Sequence, residues 1–277
     1  MDNKQVEKSG GNHQALKSLD DEWRLMNAAL ERLGQVEALH SKQPAQRSGR
    51  LIFGLDLTGS REASLHQARI ATSAMFATMK AIGTVAVKLA YYRGDECKAG
   101  AWKHDPAIVE RSMLRLSTEA GNTQLARLLQ LVLSETENVS GFVFMGDHCE
   151  ESEDDLARLA QALGEKGIPM FVFHECADND SRSLQAKPIF KRLAAASNGV
   201  YSEFRSDSGA VVRELLSTVA AFSAMGHEGL KQVGQPLTAE GRCLQKSLTQ
   251  LPEPKQVKLL AGPASGTRKL GKERASI

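Results

Sequence analysis

The sequence predicts an α/β domain, a doubly wound and mostly parallel sheet with helices on both faces. Three observations carry this expectation. From residue 51 onward, short strand-like apolar runs alternate with longer helix-like runs. The strand-like runs are almost continuously apolar, the composition of strands covered on both sides. The first of them, within RLIFGLDLTGSREAS at 50–64, stops at a carboxylate, two hydroxyls and a glycine. Packing alone does not explain such an ending, because in an open α/β sheet the functional crevice lies outside the carboxyl ends of the strands.

The elements follow in chain order. Leu16, Leu19, Trp23, Met26, Leu30 and Leu33 alternate steps of three and four, the seam of an amphipathic helix that needs a partner surface. Residues 40–50, with Pro44 and Gly49, read as a linker. Residues 1–49 are therefore an N-terminal helical extension, and the domain proper spans 50–223. Its strands are LIFGLDL from Leu51, TVAVKLAYY from Thr84, SGFVFM from Ser140, IPMFVFHE from Ile168 and GVYSEF from Gly199. Helical stretches fall around 63–82, 105–117, 123–137, 153–166, 183–196 and 208–223. Beyond Ala224 the chain becomes basic and its end is rich in Pro, Gly and Ser, so 224–277 is expected to be a flexible tail. A solvated extension accounts for it, as does a basic arm for an acidic partner. GPASGTRK in this tail lacks both the spacing and the preceding strand of a phosphate loop.

Composition narrows the function classes. The chain has 277 residues, 42% hydrophobic and 25% charged, enough to bury a full core. A formal charge of +2 argues against nucleic acid or a membrane surface as partner. No apolar stretch approaches the roughly 20 residues of a membrane span, and the first residues lack the apolar core of a signal peptide. Cys97, Cys149, Cys176 and Cys243 are scattered without a CxxC pair, which suits a reducing compartment. The expectation is a cytoplasmic protein.

The polar strand ends define a candidate site. Asp56, Thr58 and Ser60 follow the first apolar run, and alternate residues at a strand end can point to one side. Oxygen donors of this kind suit Mg²⁺ or Ca²⁺ better than softer metals. Asp147 ends the run GFVFMG, and Thr123 lies in a glycine-containing turn before a helix. In this order and on these elements, Asp56-Leu57-Thr58-Gly59-Ser60, then Thr123, then Asp147 resembles the metal ion-dependent adhesion site of von Willebrand factor type A (VWA) domains, with Thr58 in place of the first serine of D-x-S-x-S. The resemblance covers about residues 50–223. It implies a Mg²⁺ site, with Mn²⁺ or Ca²⁺ as substitutes, in which hydroxyls bind the metal directly and the carboxylates act largely through water. It also implies a docking or scaffolding function. Another protein, within a multi-subunit assembly, would supply an Asp or Glu carboxylate to the open metal position.

Other readings of the same residues have definite structural consequences. Asp56, Thr58, Thr123 and Asp147 could each cap a following helix, although capping explains the positions singly and not together. A Mg²⁺-dependent hydrolase or phosphatase could use Asp56, but Thr58 stands where such a phosphatase needs its second aspartate. No nucleophile elbow, H-E-x-x-H helix or Walker loop is present, so the chain is expected not to be an enzyme. His148, Cys149, His174 and Cys176 could meet around zinc only if alternation along the strands were broken. Glu150, Glu151, Glu153, Asp154 and Asp155 read as a solvated helix start.

Overall fold

The structure, a computed structural model, describes residues 47–62, 65, 84–176, 179–205, 208–255 and 257–258. The N-terminal seam from Leu16 to Leu33, most of the expected helix at 63–82 and the end of the tail lie outside these residues.

Five strands form at the apolar runs, the first beginning at Arg47, inside the expected linker, and two more, at Glu96–Ala99 and Val257–Lys258, form where none was expected. They are β1 (Arg47–Asp56), β2 (Thr84–Arg93), β3 (Glu96–Ala99), β4 (Gly141–Gly146), β5 (Met170–Glu175), β6 (Val200–Phe204) and β7 (Val257–Lys258). They make one sheet of order β3-β2-β1-β4-β5-β6, with β7 paired to the start of β1. All neighbours from β2 to β6 are parallel; β3 and β7 run antiparallel to theirs. β4 is buried at every position, and β5 at all but its last. That burial on both faces explains why neither strand alternates in polarity.

Helices cover both faces. α1 (Pro106–Leu114), α5 (Gly209–Met225), α6 (His227–Val233) and α7 (Ala239–Leu248) pack against the face that holds Leu51, Phe53, Leu55, Val143 and Phe171. α2 (Leu125–Leu133), α3 (Glu153–Glu165) and α4 (Ser181–Ala196) pack against the face that holds Ile52, Phe142, Phe144 and Val172. In α2 the buried positions Leu125, Leu128, Leu129 and Val132 repeat at three and four residues, one stripe of a 3.6-residue helix. α3 starts at Ser152, whose hydroxyl accepts from the Asp155 amide, and three acidic residues in its first turn favour the helix dipole. On this face Phe144 sits edge-on to Phe190, with ring centroids 5.7 Å apart.

The predicted fold class is therefore the observed one, with three corrections. The edge strand β3 was not foreseen, because its four residues, Glu96, Cys97, Lys98 and Ala99, form no apolar run and are at best half-buried. Strand β5 begins at Met170 rather than Ile168: Pro169 has no amide hydrogen, and its carbonyl instead accepts from the Phe142 amide at 2.9 Å. The expected tail from 224 begins too early. α6 and α7 fold back onto α5 and bury Leu230, Leu244 and Leu248, and the Glu214 carboxylate of α5 accepts from the Thr238 amide at the head of α7.

Candidate metal centre

Strand order reverses between β1 and β4: β2 and β3 lie to one side, β5 and β6 to the other. Their carboxyl ends thus open the crevice in which doubly wound sheets place ligands. Asp56 is the last residue of β1, and Asp147 directly follows β4. The backbones pack tightly here, since a side chain at Gly146 would strike the Phe144 ring at 2.7 Å and reach within 3.4 Å of the Asp56 Cβ.

The first loop is built around the Asp56 carboxylate. Its Oδ1 accepts from the Thr58 amide at 2.8 Å and from the Thr58 hydroxyl at 2.7 Å, and Thr58 Oγ1 lies 3.2 Å from Ser60 Oγ. Asp56, Thr58 and Ser60 therefore touch as the sequence predicts. A single 3-10 turn, Gly59–Arg61, carries the chain away. Its leading residue Thr58 makes no side-chain capping bond to that turn.

Asp56 Oδ2 is buried and has no hydrogen-bond partner among the described residues, and the same holds for Asp147 Oδ1. Asp56 is 1% exposed and Asp147 8%. Burial, and next the Asp147 charge, push the Asp56 carboxyl up to about 6, despite the bonds from Thr58 that favour its ionised form. From β2, in register with Asp56, the Tyr92 hydroxyl faces this carboxylate without reaching hydrogen-bond geometry; burial and the Asp56 charge push the phenol well above its usual range.

Thr123 lies on a different loop, the segment that leads to α2. The Glu119 amide donates to the Leu57 carbonyl at 2.9 Å, so the segment leading to α2 is stitched to the Asp56 loop. Thr123 is 7% exposed, and its hydroxyl donates to Glu150 at 2.9 Å rather than to any of the other four predicted residues. Glu151 accepts from the amides of Leu125 and Ala126 at 2.5 and 2.9 Å. Two successive glutamates after β4 thus fasten the Thr123 loop and cap α2 from a distance. Thr123 and Asp147 are not helix caps: Gln124 precedes α2, and Ser152 heads α3.

Two charged neighbours and two histidines complete the surroundings. Arg61 is 2% exposed and ion-paired with Glu175 at the end of β5. Burial lowers the pKa of its guanidinium, and the charges of Asp147 and Asp56 work in the opposite direction. Sequence reasoning missed this pair, although Arg61 directly follows Ser60 and Glu175 is itself a strand-end carboxylate. His174 Nε2 donates to the Asp147 carbonyl at 3.0 Å, and Nδ1 accepts from the Tyr201 hydroxyl at 2.8 Å. Burial pulls its pKa down to about 4, so this ring is neutral at pH 7. His148 lies 2.5 Å from Asp180 through Nε2. The two histidines are thus engaged separately, against the zinc reading. Among the described residues no group of three or more His, Cys, Asp or Glu side chains is placed to hold a metal ion.

The chemistry of the donors, carboxylate oxygens Asp56 Oδ2 and Asp147 Oδ1 without a hydrogen-bond partner among the described residues and the paired hydroxyls of Thr58 and Ser60, is of the kind that suits a hard divalent cation.

Neither a protein-family model nor a curated protein matches this sequence. Solved structures do match the fold. A conserved hypothetical protein, BatB, from Bacteroides thetaiotaomicron is 16% identical over 62% of this chain and 97% of its own, with a TM-score of 0.51. The pilus adhesin SpaC from Lactobacillus rhamnosus GG, in its open conformation, is 11% identical over 66% of this chain and 31% of its own, with a TM-score of 0.55. The VWA domain of SpRpn10 is 14% identical over 62% and 94%, with a TM-score of 0.44. At these identities the likeness to BatB and SpaC is one of fold. Among the described residues no helix is long and apolar enough to cross a membrane.

Proposed function

We propose that this chain is a metal-dependent protein-docking module of the VWA kind rather than an enzyme, and that it works in the cytoplasm as part of a multi-subunit assembly. Asp56, Thr58, Ser60, Thr123 and Asp147 would hold the cation, Mg²⁺ in the first instance and Mn²⁺ or Ca²⁺ as alternatives. When bound, the ion supplies an electrophilic position that a partner's Asp or Glu carboxylate can occupy. The observation that supports this reading most is the pair of buried, unpartnered oxygens, Asp56 Oδ2 and Asp147 Oδ1, at the point where the strand order reverses. Four free cysteines suit a reducing compartment.

The chain's own residues prepare the site. Thr58 fixes one Asp56 oxygen and leaves the other without a hydrogen-bond partner among the described residues, Glu150 and Glu151 fasten the Thr123 loop and the head of α2, and His174 anchors the backbone of Asp147. Affinity capture of the full chain with Mg²⁺ tests the reading. A partner retained with the metal should be lost in EDTA and with Asp56→Ala, while circular dichroism stays unchanged. Capture that persists through both treatments would contradict it, as would turnover of a generic phosphoester that Asp56→Ala abolishes.

A further inference from the structure

Arg61 is a buried cation placed among the very carboxylates that would face a metal ion. It directly follows the last hydroxyl of the Asp56 loop, it is 2% exposed, it is ion-paired with Glu175, and it feels the charges of both Asp147 and Asp56. Among the described residues, Asp56, Asp147 and Glu175 when ionised carry three negative charges against the one positive charge of Arg61, and Glu150, which accepts from the Thr123 hydroxyl, adds to that excess. Two of those carboxylates keep an unpartnered, buried oxygen. The guanidinium is therefore too little to neutralise the cluster and enough to change which cation neutralises it.

We propose that Arg61, paired with Glu175, sets the charge of the ion this centre accepts: it holds the metal-free site together as a built-in cation and biases the site toward divalent ions against those of higher charge. This inference rests on the proposed metal site and gives Arg61 a role in selectivity rather than coordination. Coulomb energy is linear in the charge of the bound ion, so removing a fixed positive charge must favour a trivalent ion more than a divalent one. A residue that merely shapes the loop would lower affinity for both ions when replaced.

The test is calorimetric titration of the full chain with Mn²⁺ and with Tb³⁺, in the wild type, Arg61→Lys, Arg61→Met, Arg61→Met with Glu175→Gln, and Asp56→Ala. Arg61→Lys should bind both ions like the wild type. Arg61→Met should bind Mn²⁺ at least ~10-fold more tightly, with a gain for Tb³⁺ about 1.5 times as large in the logarithm. It should also melt at a lower temperature in EDTA and recover with Mn²⁺. The double variant restores the charge count, and both affinities should return to near the wild-type values. Should Arg61→Met fail to fold, Glu175→Gln alone should weaken both ions, Tb³⁺ more than Mn²⁺. Unchanged or equally weakened affinities, in a protein whose binding Asp56→Ala abolishes, would overturn the role of Arg61 and leave the metal site standing. A wild type that binds neither ion would overturn both.

Discussion

The two ends of the central strand pair β1 and β4 are finished in opposite ways. At the amino end of β4, Ser140 is fully buried and fully engaged: its hydroxyl accepts from the Arg50 amide at 3.0 Å and donates to the Lys255 carbonyl at 2.5 Å. At the carboxyl end, Asp56 and Asp147 are almost as deeply buried, yet each keeps an oxygen without a partner. Burial without hydrogen bonding costs more for a carboxylate than for a hydroxyl. The same fold thus closes its cheaper polar group and leaves its costlier ones open.

The largest expected effect separates the open end by pH. His174, which holds the Asp147 carbonyl, has its pKa pulled down by burial from 6.5 to about 4. A histidine held neutral stabilises the fold above its ordinary pKa, and that contribution is lost as the pH falls toward 4. The loss is on the order of 3 kcal/mol. Urea unfolding at pH 7 and pH 4.5 should show it in the wild type and show less of it in His174→Gln. An equal decline in the two proteins would remove His174 from the account.

Next in size is the closed end. Ser140→Ala orphans the Arg50 amide and the Lys255 carbonyl and should cost about 1–3 kcal/mol in denaturant unfolding, with cation binding untouched. The open end should respond with the opposite sign. The Asp56 carboxyl is raised to about 6, so in metal-free protein it penalises folding above that pH and ceases to do so as the pH falls toward 3.8. Asp56→Asn at pH 7 in EDTA should therefore stabilise the fold by on the order of 1–2 kcal/mol. A loss of stability as large as that of Ser140→Ala would erase the contrast between the two ends. Smallest is Glu151→Gln, which weakens the remote cap on the Leu125 and Ala126 amides and should cost about 1 kcal/mol in thermal unfolding.

The sequence made the central strands readable because their burial on both faces leaves runs such as GFVFMG with no polar interruption. Asp56 and Asp147 were readable as candidates for the complementary reason: an oxygen-bearing side chain just past such a run has nothing apolar to join. Thr123, in a loop before a helix, was singled out by its place in the D-x-[ST]-x-S, Thr, Asp order. Arg61 and Glu175 were not. Nothing local links them, and only the placement of β5 beside β4 brings the end of that strand toward the Asp56 loop. The hydrogen bond of Thr123 to Glu150 was equally hidden, since a run of acidic residues before a helix reads as a solvated cap. α6 and α7 escaped notice because they bury only Gly229, Leu230, Gly241, Leu244 and Leu248 within basic, glycine-containing sequence. Pattern thus singled out the candidate donors, while the charged neighbours Arg61 and Glu175 depended on tertiary placement.

The most direct measurement is an isothermal titration of the purified full chain with Mg²⁺, beside Asp56→Ala and Asp147→Ala. The account predicts one ion per chain in the wild type and none in either variant, with the circular dichroism of all three proteins alike. No binding by the wild type, or the same binding by all three, would contradict it.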